Sequence, residues 1–121
     1  MAEANDSDGT ALFEDIGDEL VTGEQLEWRT LFGFACFRRK GEFVSVSEHV
    51  TGSLAVKLPK ARVAELIKAG TGAEFRPNDR FFKEWVAIAE RDEPLWREML
   101  EESIAFADIN AEKKSKKIKM G

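Results

Sequence analysis

Few residues in this chain are of a type that could do chemistry. His49 and Cys36 are its single histidine and single cysteine. Glu48 precedes His49, but neighbours on an extended chain point to opposite faces, so adjacency makes no acid/base pair. Cys36 stands between Phe34 and Phe37 on an apolar stretch, where a free thiol packs as a small hydrophobe. Arg38 would lower its pKa only if both side chains reached a cleft. One residue of each type excludes an internal disulfide and a Cys/His zinc cluster. A Ser/His/Asp arrangement would have only His49 as base, with its serine chosen at will. The acids at 84, 90, 92 and 93 lack the alternating spacing of a calcium loop. The expectation is a chain without catalytic residues, metal or cofactor.

Cations offer more. "RRK", Arg38 to Lys40, reads as a basic hairpin tip that could touch phosphate or an acidic partner. Lys57 and Lys60 bracket Pro59 where a strand pattern turns into a helix pattern, and a helix N-terminus with lysines beside it could take an anion. Lys113, Lys114, Lys116, Lys117 and Lys119 form a lysine-rich tail. The net charge of -5 conceals a segregation: residues 1 to 27 hold nine acids and no base, 28 to 107 are nearly neutral, and 108 to 121 hold five lysines and two acids. The end segments read either as solvated arms or as arms that bind: the tail to phosphates, the acidic arm to a basic patch. "GTG" at 70 to 72 follows a helix and not a strand, so it is a helix stop and no phosphate cradle. "KGEFVSV" begins like an RNA-recognition submotif, but Glu42 and Ser45 stand where stacking aromatics belong.

The elements that must position these residues follow from periodicity. Leu12, Ile16 and Leu20 recur at i, i+4, i+8 beside Phe13 and predict an amphipathic helix, which Gly17 weakens by about 1 kcal/mol relative to alanine. Three strands are expected near 28 to 38, 43 to 48 and 53 to 58, joined by turns at "RKGE" and "HVTG" that make them antiparallel neighbours. A helix runs from Lys60 to about Ala69, with Pro59 opening it, and a strand is expected at 83 to 89. The last helix begins near Asp92, a plausible N-cap, and carries Leu95, Trp96, Met99, Leu100, Ile104 and Ala107 as its stripe. Trp85 and Trp96 are placed together in the core where the last strand meets this helix. The fold class is therefore α+β, an antiparallel sheet of 4 to 5 strands covered by about three helices in a two-layer sandwich. One domain is expected at 11 to 107, with a disordered acidic arm at 1 to 10 and a flexible lysine-rich tail at 108 to 121. No apolar run approaches the roughly 20 residues of a membrane span. The acidic N-terminal segment is unlike a signal peptide, so the expectation is a soluble, cytoplasmic protein that does not engage a membrane.

These residues also carry a resemblance. "RTLFGFACFRRKGEFVSV" resembles the segment that starts the sheet of the TfoX N-terminal domain family, with Leu31-Phe32-Gly33 at its Met-Phe-Gly position and Lys40-Gly41-Glu42 at its turn. "LAVKLPKARVAELIKAGTGAEFRP" is similar to the strand and helix of that family's single-domain members, and "KEWVAI" with "EPLWREMLEESIAFA" resembles its closing strand and helix. The MmcQ/YjbR-like family is a neighbouring alternative on fold grounds. The resemblance implies the fold and a regulatory or interaction role, and implies no catalytic residues. Two readings of function stay open: a protein-binding adaptor using the sheet edge or the surface around the last helix, and a nucleic-acid-associated factor using the basic hairpin and the tail. A small-molecule enzyme would need a deep pocket with convergent polar groups.

Overall fold

The computed structural model describes residues 2–23, 25–31, 34–48, 52–76 and 79–120, with side chains described at all of these except 2–10, 31, 48 and 115–120. Helix α1 (Ala2–Thr22) is followed by strands β1 (Glu27–Leu31), β2 (Phe34–Arg39), β3 (Glu42–Glu48) and β4 (Ser53–Lys57). Helix α2 (Lys60–Lys68), β5 (Ala73–Glu74), β6 (Trp85–Ile88) and α3 (Glu93–Met120) complete the order. The strands form one open sheet in the order β1-β2-β3-β4-β6-β5, antiparallel at every neighbouring pair. The chain is thus α+β, with three helices on a six-stranded sheet.

All three helices bury their apolar stripes on one face of that sheet. Phe13 and Ile16 of α1, Val63 and Leu66 of α2, and Trp96, Met99, Leu100 and Ala107 of α3 meet Phe37, Val44, Leu54, Val56, Val86 and Ile88. The opposite face holds a smaller core of Cys36, Val46, Ala55, Phe75 and Trp85, edged by Phe34, Phe43 and Phe82. Val44 and Val46 stand two apart yet fall in different cores. The register slips between Phe37 and Arg38, which pair with Ser45 and Phe43, so Val44 is the extra residue of a bulge that breaks the alternation. Ser103 of α3 seats its hydroxyl 2.8 Å from the Val44 carbonyl oxygen and 2.7 Å from that of Lys57, able to donate to either, and so ties the helix to both strands.

Several expectations are corrected here. The run 28 to 38 is two strands, because Leu31 pairs with Phe34 and the chain reverses between them; Phe32 and Gly33 lie outside the described residues, as does the expected turn histidine His49. Trp85 does not meet the last helix. Val86 and Ile88 face the helices, so the alternation of β6 turns Trp85 to the other core beside Phe75, at 5.6 Å between ring centroids. The second helix does begin at Lys60 as expected, with Pro59 as its N-cap at φ -56° and ψ 148°. Both terminal helices run past their expected ends, α1 from Ala2 and α3 to Met120.

Other signals hold as read. Lys40 and Gly41 both have positive φ, 52° and 84°, the requirement of a two-residue type I′ hairpin between Arg39 and Glu42. Gly70 at φ 80° ends α2: its N–H reaches the Ile67 carbonyl and that of Thr71 reaches Leu66, the paired bonds of a Schellman stop. Asp92 caps α3, its carboxylate accepting from the Leu95 N–H at 3.2 Å. No helix among the described residues is long and apolar enough to cross a membrane.

Candidate functional site

The hairpin tip is occupied from within. Arg39 donates from Nε to Asp108 Oδ1 at 2.7 Å and from Nη1 to the Gln25 carbonyl at 2.9 Å, while Lys40 Nζ lies 3.4 Å from the same Asp108 oxygen. Arg38 donates to the Gly41 carbonyl at 2.8 Å and lies over the Phe43 ring. The bond from Arg39 is the main reason that the Asp108 carboxyl is held below its ordinary range, with Lys40 adding to it. Glu42, buried at the base of the tip, pairs with Lys114 Nζ at 2.6 Å. Lys114 and Asp108 both belong to α3, so the hairpin and the far half of that helix hold each other. The sequence pattern contains no hint of this, because the partners stand 69 and 72 positions apart, Arg39 to Asp108 and Glu42 to Lys114. The side chains of Lys116, Lys117 and Lys119 lie outside the described residues.

The cations of the structure divide by type. Arginines are spent on the fold: Arg62 is bidentate to Glu102 at 2.8 and 2.9 Å and clamps α2 to α3, and Arg97 reaches Glu19 at 2.6 Å to clamp α3 to α1. Arg76 pairs with Glu74 at 2.6 Å, and Arg80 lies over Phe82. These pairs hold the Arg62 and Arg97 guanidiniums well above their ordinary pKa and the Glu19 carboxyl below its own, in each case chiefly through the hydrogen bonds. Lysines behave differently. Among the described residues, Lys57, Lys60, Lys68, Lys83 and Lys113 have no carboxylate within ion-pair distance.

All five line one surface. Three open depressions share lining residues and run from α2 to the far part of α3. The first, about 380 Å³, lies between α2 and the 81–83 segment, floored by Val63, Ala64, Ile67 and Phe81 and rimmed by Lys60, Lys68, Lys83 and Glu74. The second, also about 380 Å³, shares Lys60, Phe81 and Lys83 with it and adds Lys57, Glu84 and Trp85. The third, about 330 Å³, shares Lys57 and Glu84 with the second and continues to Lys113, Lys114 and Glu42. Glu42 and Glu74 are neutralised by Lys114 and Arg76. The groove therefore presents five uncompensated lysines against one free carboxylate, Glu84. Like cations gathered along a low-dielectric wall raise the local concentration of an anion, an effect that salt screens.

The elements explain the gathering. Lys57 ends β4 and Lys60 begins α2, separated only by the buried Leu58 and the cap Pro59. That N-terminus has no side-chain cap and no acid in its first turn, so no carboxylate there offsets Lys60. Lys68 lies eight residues along α2, about 12 Å at helical rise. Lys83 arrives on the segment that closes over Phe75, and Lys113 on the extended part of α3. Sequence reasoning found Lys57, Lys60, Lys113 and Lys114, and missed Lys68 and Lys83. The "RFFKEW" run, two aromatics bounded by charges in a loop, was the available signal for Lys83 and Phe81.

The remaining candidates are placed without forming a site. Cys36 is fully buried in the smaller core, and that burial pushes its thiol pKa up against the opposing pull of Arg38 and Arg29. No three His, Cys, Asp or Glu side chains among the described residues are grouped to hold a metal ion. No family model, no curated protein and no solved structure matches the chain.

Proposed function

We propose that the chain is a non-enzymatic interaction module that docks an acidic segment of a partner protein in the lysine-lined groove. One observation carries this reading: every described lysine without an ion pair lines the same run of depressions, which has an apolar floor between α2 and the 81–83 segment. Lysine suits such a role, since its ammonium is a compact charge on a flexible stem and adapts to carboxylates at varied positions. Nucleic acid is the weaker reading. The chain carries a net charge of -5, Glu84 sits within the groove, and the arginines that would fork onto phosphates are engaged with carboxylates, carbonyls or rings. The groove's ionisable lining is lysine and glutamate alone, which speaks for binding over covalent chemistry.

Binding of a fluorescent glutamate-rich peptide and of a single-stranded oligonucleotide, each across a salt series from about 50 to 300 mM, tests the proposal. The expected result is peptide binding that weakens with salt and is lost in the Lys57→Glu, Lys60→Glu, Lys83→Glu variant, with the variant's melting curve unchanged. Peptide binding that survives those charge reversals would move the site elsewhere. Preference for the oligonucleotide at matched charge would replace the reading with the nucleic-acid one.

A further inference from the structure

The groove has two chemically different stretches, and the difference specifies what fits. Around Lys57 and Lys113 the lining is polar. Between α2 and the 81–83 segment it is apolar, and there the lysines stand only on the rim. Val63 is buried and Ile67 half-buried, whereas Ala64 is exposed, one small residue between two large ones that leaves a hollow in the helix surface opposite Phe81. An all-acidic ligand would leave this floor wet, and a purely apolar one would leave three ammonium groups unanswered.

We propose that this stretch takes an extended partner segment in which one large aliphatic side chain is flanked two residues away on each side by carboxylates, of the pattern Glu-x-Leu-x-Glu. The inference rests on the reading above and narrows it. Side chains at alternate positions of an extended chain share a face, so both acids and the apolar anchor point into the groove together. The two acids stand four residues apart, about 13 Å at strand rise, close to the roughly 12 Å that separates Lys60 from Lys68 along α2. A volume of about 380 Å³ is near the lower end of ligand-pocket sizes, room for one anchor and its flanks but not for the face of a docked helix. Lys83 adds a third ammonium on the opposite wall. Glu74, held by Arg76, belongs to β5, the outermost strand at this end of the sheet, so an extended segment would run past an open sheet edge.

The test uses the full chain and three synthetic nonapeptides: one with Glu-Ser-Leu-Ser-Glu at its centre, one with serine in place of the leucine, and one with glutamine in place of both glutamates. Their binding is measured by calorimetry or fluorescence anisotropy. The leucine peptide is expected to bind about tenfold more tightly than the serine peptide, because burying the anchor adds an apolar term to the charge term. The glutamine peptide is expected to bind at least as weakly as the serine peptide. Ala64→Gln, which fills the hollow without adding a charge beside Lys60 and Lys68, should erase the advantage of leucine over serine; its circular dichroism and melting curve establish that it is folded. Equal affinity for the leucine and serine peptides in the wild type would overturn the anchor while leaving the acidic-segment reading intact. No binding by any acidic peptide at low salt would overturn both.

Discussion

Gly17 lies inside α1, in its C-terminal third, where exchanging glycine for alanine ordinarily stabilises a helix by about 1 kcal/mol. The structure predicts the opposite. A Cβ at this position would sit 1.9 Å from Cζ of Phe37 and 2.7 and 2.8 Å from its Cε atoms. Phe37 cannot yield. Its ring is fully buried, stacked on Phe13 at 4.7 Å and against Trp28 at 4.4 Å between centroids. To restore ordinary carbon contacts of about 3.5–4.0 Å, α1 would have to withdraw by about 1.5–2 Å and open the stack it makes through Phe13. Overpacking of this kind costs about 1–3 kcal/mol, and the upper part of that range applies because the obstacle is held on both sides. After the propensity gain, Gly17→Ala should be about 1–2 kcal/mol less stable than the wild type in urea unfolding, with the slope unchanged. In a double-mutant cycle with Phe37→Leu, the pair should cost at least about 1 kcal/mol less than the sum of the single changes. A Gly17→Ala protein that gains stability would show that α1 does not rest on Phe37 at this distance.

Three further outcomes follow from the same contacts. Trp96 is fully buried in the larger core and donates from Nε1 to the Glu90 carbonyl at 2.7 Å, so Trp96→Ala should cost about 3–5 kcal/mol in denaturant unfolding; a loss below about 1 kcal/mol would contradict its burial. Ser45 Oγ is buried without a hydrogen-bond partner among the described residues, so Ser45→Ala should be neutral or stabilising by up to about 1 kcal/mol, and a clear loss would mean that the hydroxyl is satisfied. Asp108 and Glu19 have folded-state pKa values below their ordinary 3.8 and 4.5, so the unfolded chain binds their protons first. Their contribution is present above those ordinary values and is lost as the pH falls through the lower folded ones. The stability gap between the wild type and an Asp108→Asn, Glu19→Gln variant should therefore be open at neutral pH and shrink as the pH falls below those ordinary values; a gap independent of pH would refute the pairing with Arg39 and Arg97.

Local signals in the sequence were legible because local physics decides them. The glycine stop after α2, the Asp92 cap and the Lys40-Gly41 turn depend on neighbours within a few residues. What depended on distant partners was not legible. The apolar run from Trp28 to Phe37 hid a reversal, since both strands of the hairpin are rich in the same residue types. Reading α3 only to Ala107 stopped where its apolar stripe stops, although Ala111, Glu112 and the lysines beyond are good helix formers and Lys114 is drawn to buried Glu42. The tip Arg38 to Lys40 looked unoccupied because Asp108 is distant in sequence. The groove was half visible: Lys57 and Lys60 adjoin one junction, whereas Lys68 and Lys83 join them only when α2 and the 81–83 segment pack side by side. Gly17 read as a weak point of a helix, and it is the point of closest approach.

Docking of an acidic protein segment between α2 and the 81–84 segment is tested most directly by amide chemical-shift mapping, with the Glu-Ser-Leu-Ser-Glu peptide titrated into isotopically labelled protein at low salt. The predicted result is a saturable set of shifts confined to Lys57, Lys60, Ala64, Ile67, Lys68, Phe81 and Lys83 and their immediate neighbours, lost as salt rises. Shifts centred on the hairpin tip or on α1, or no shifts at saturating peptide, would contradict it.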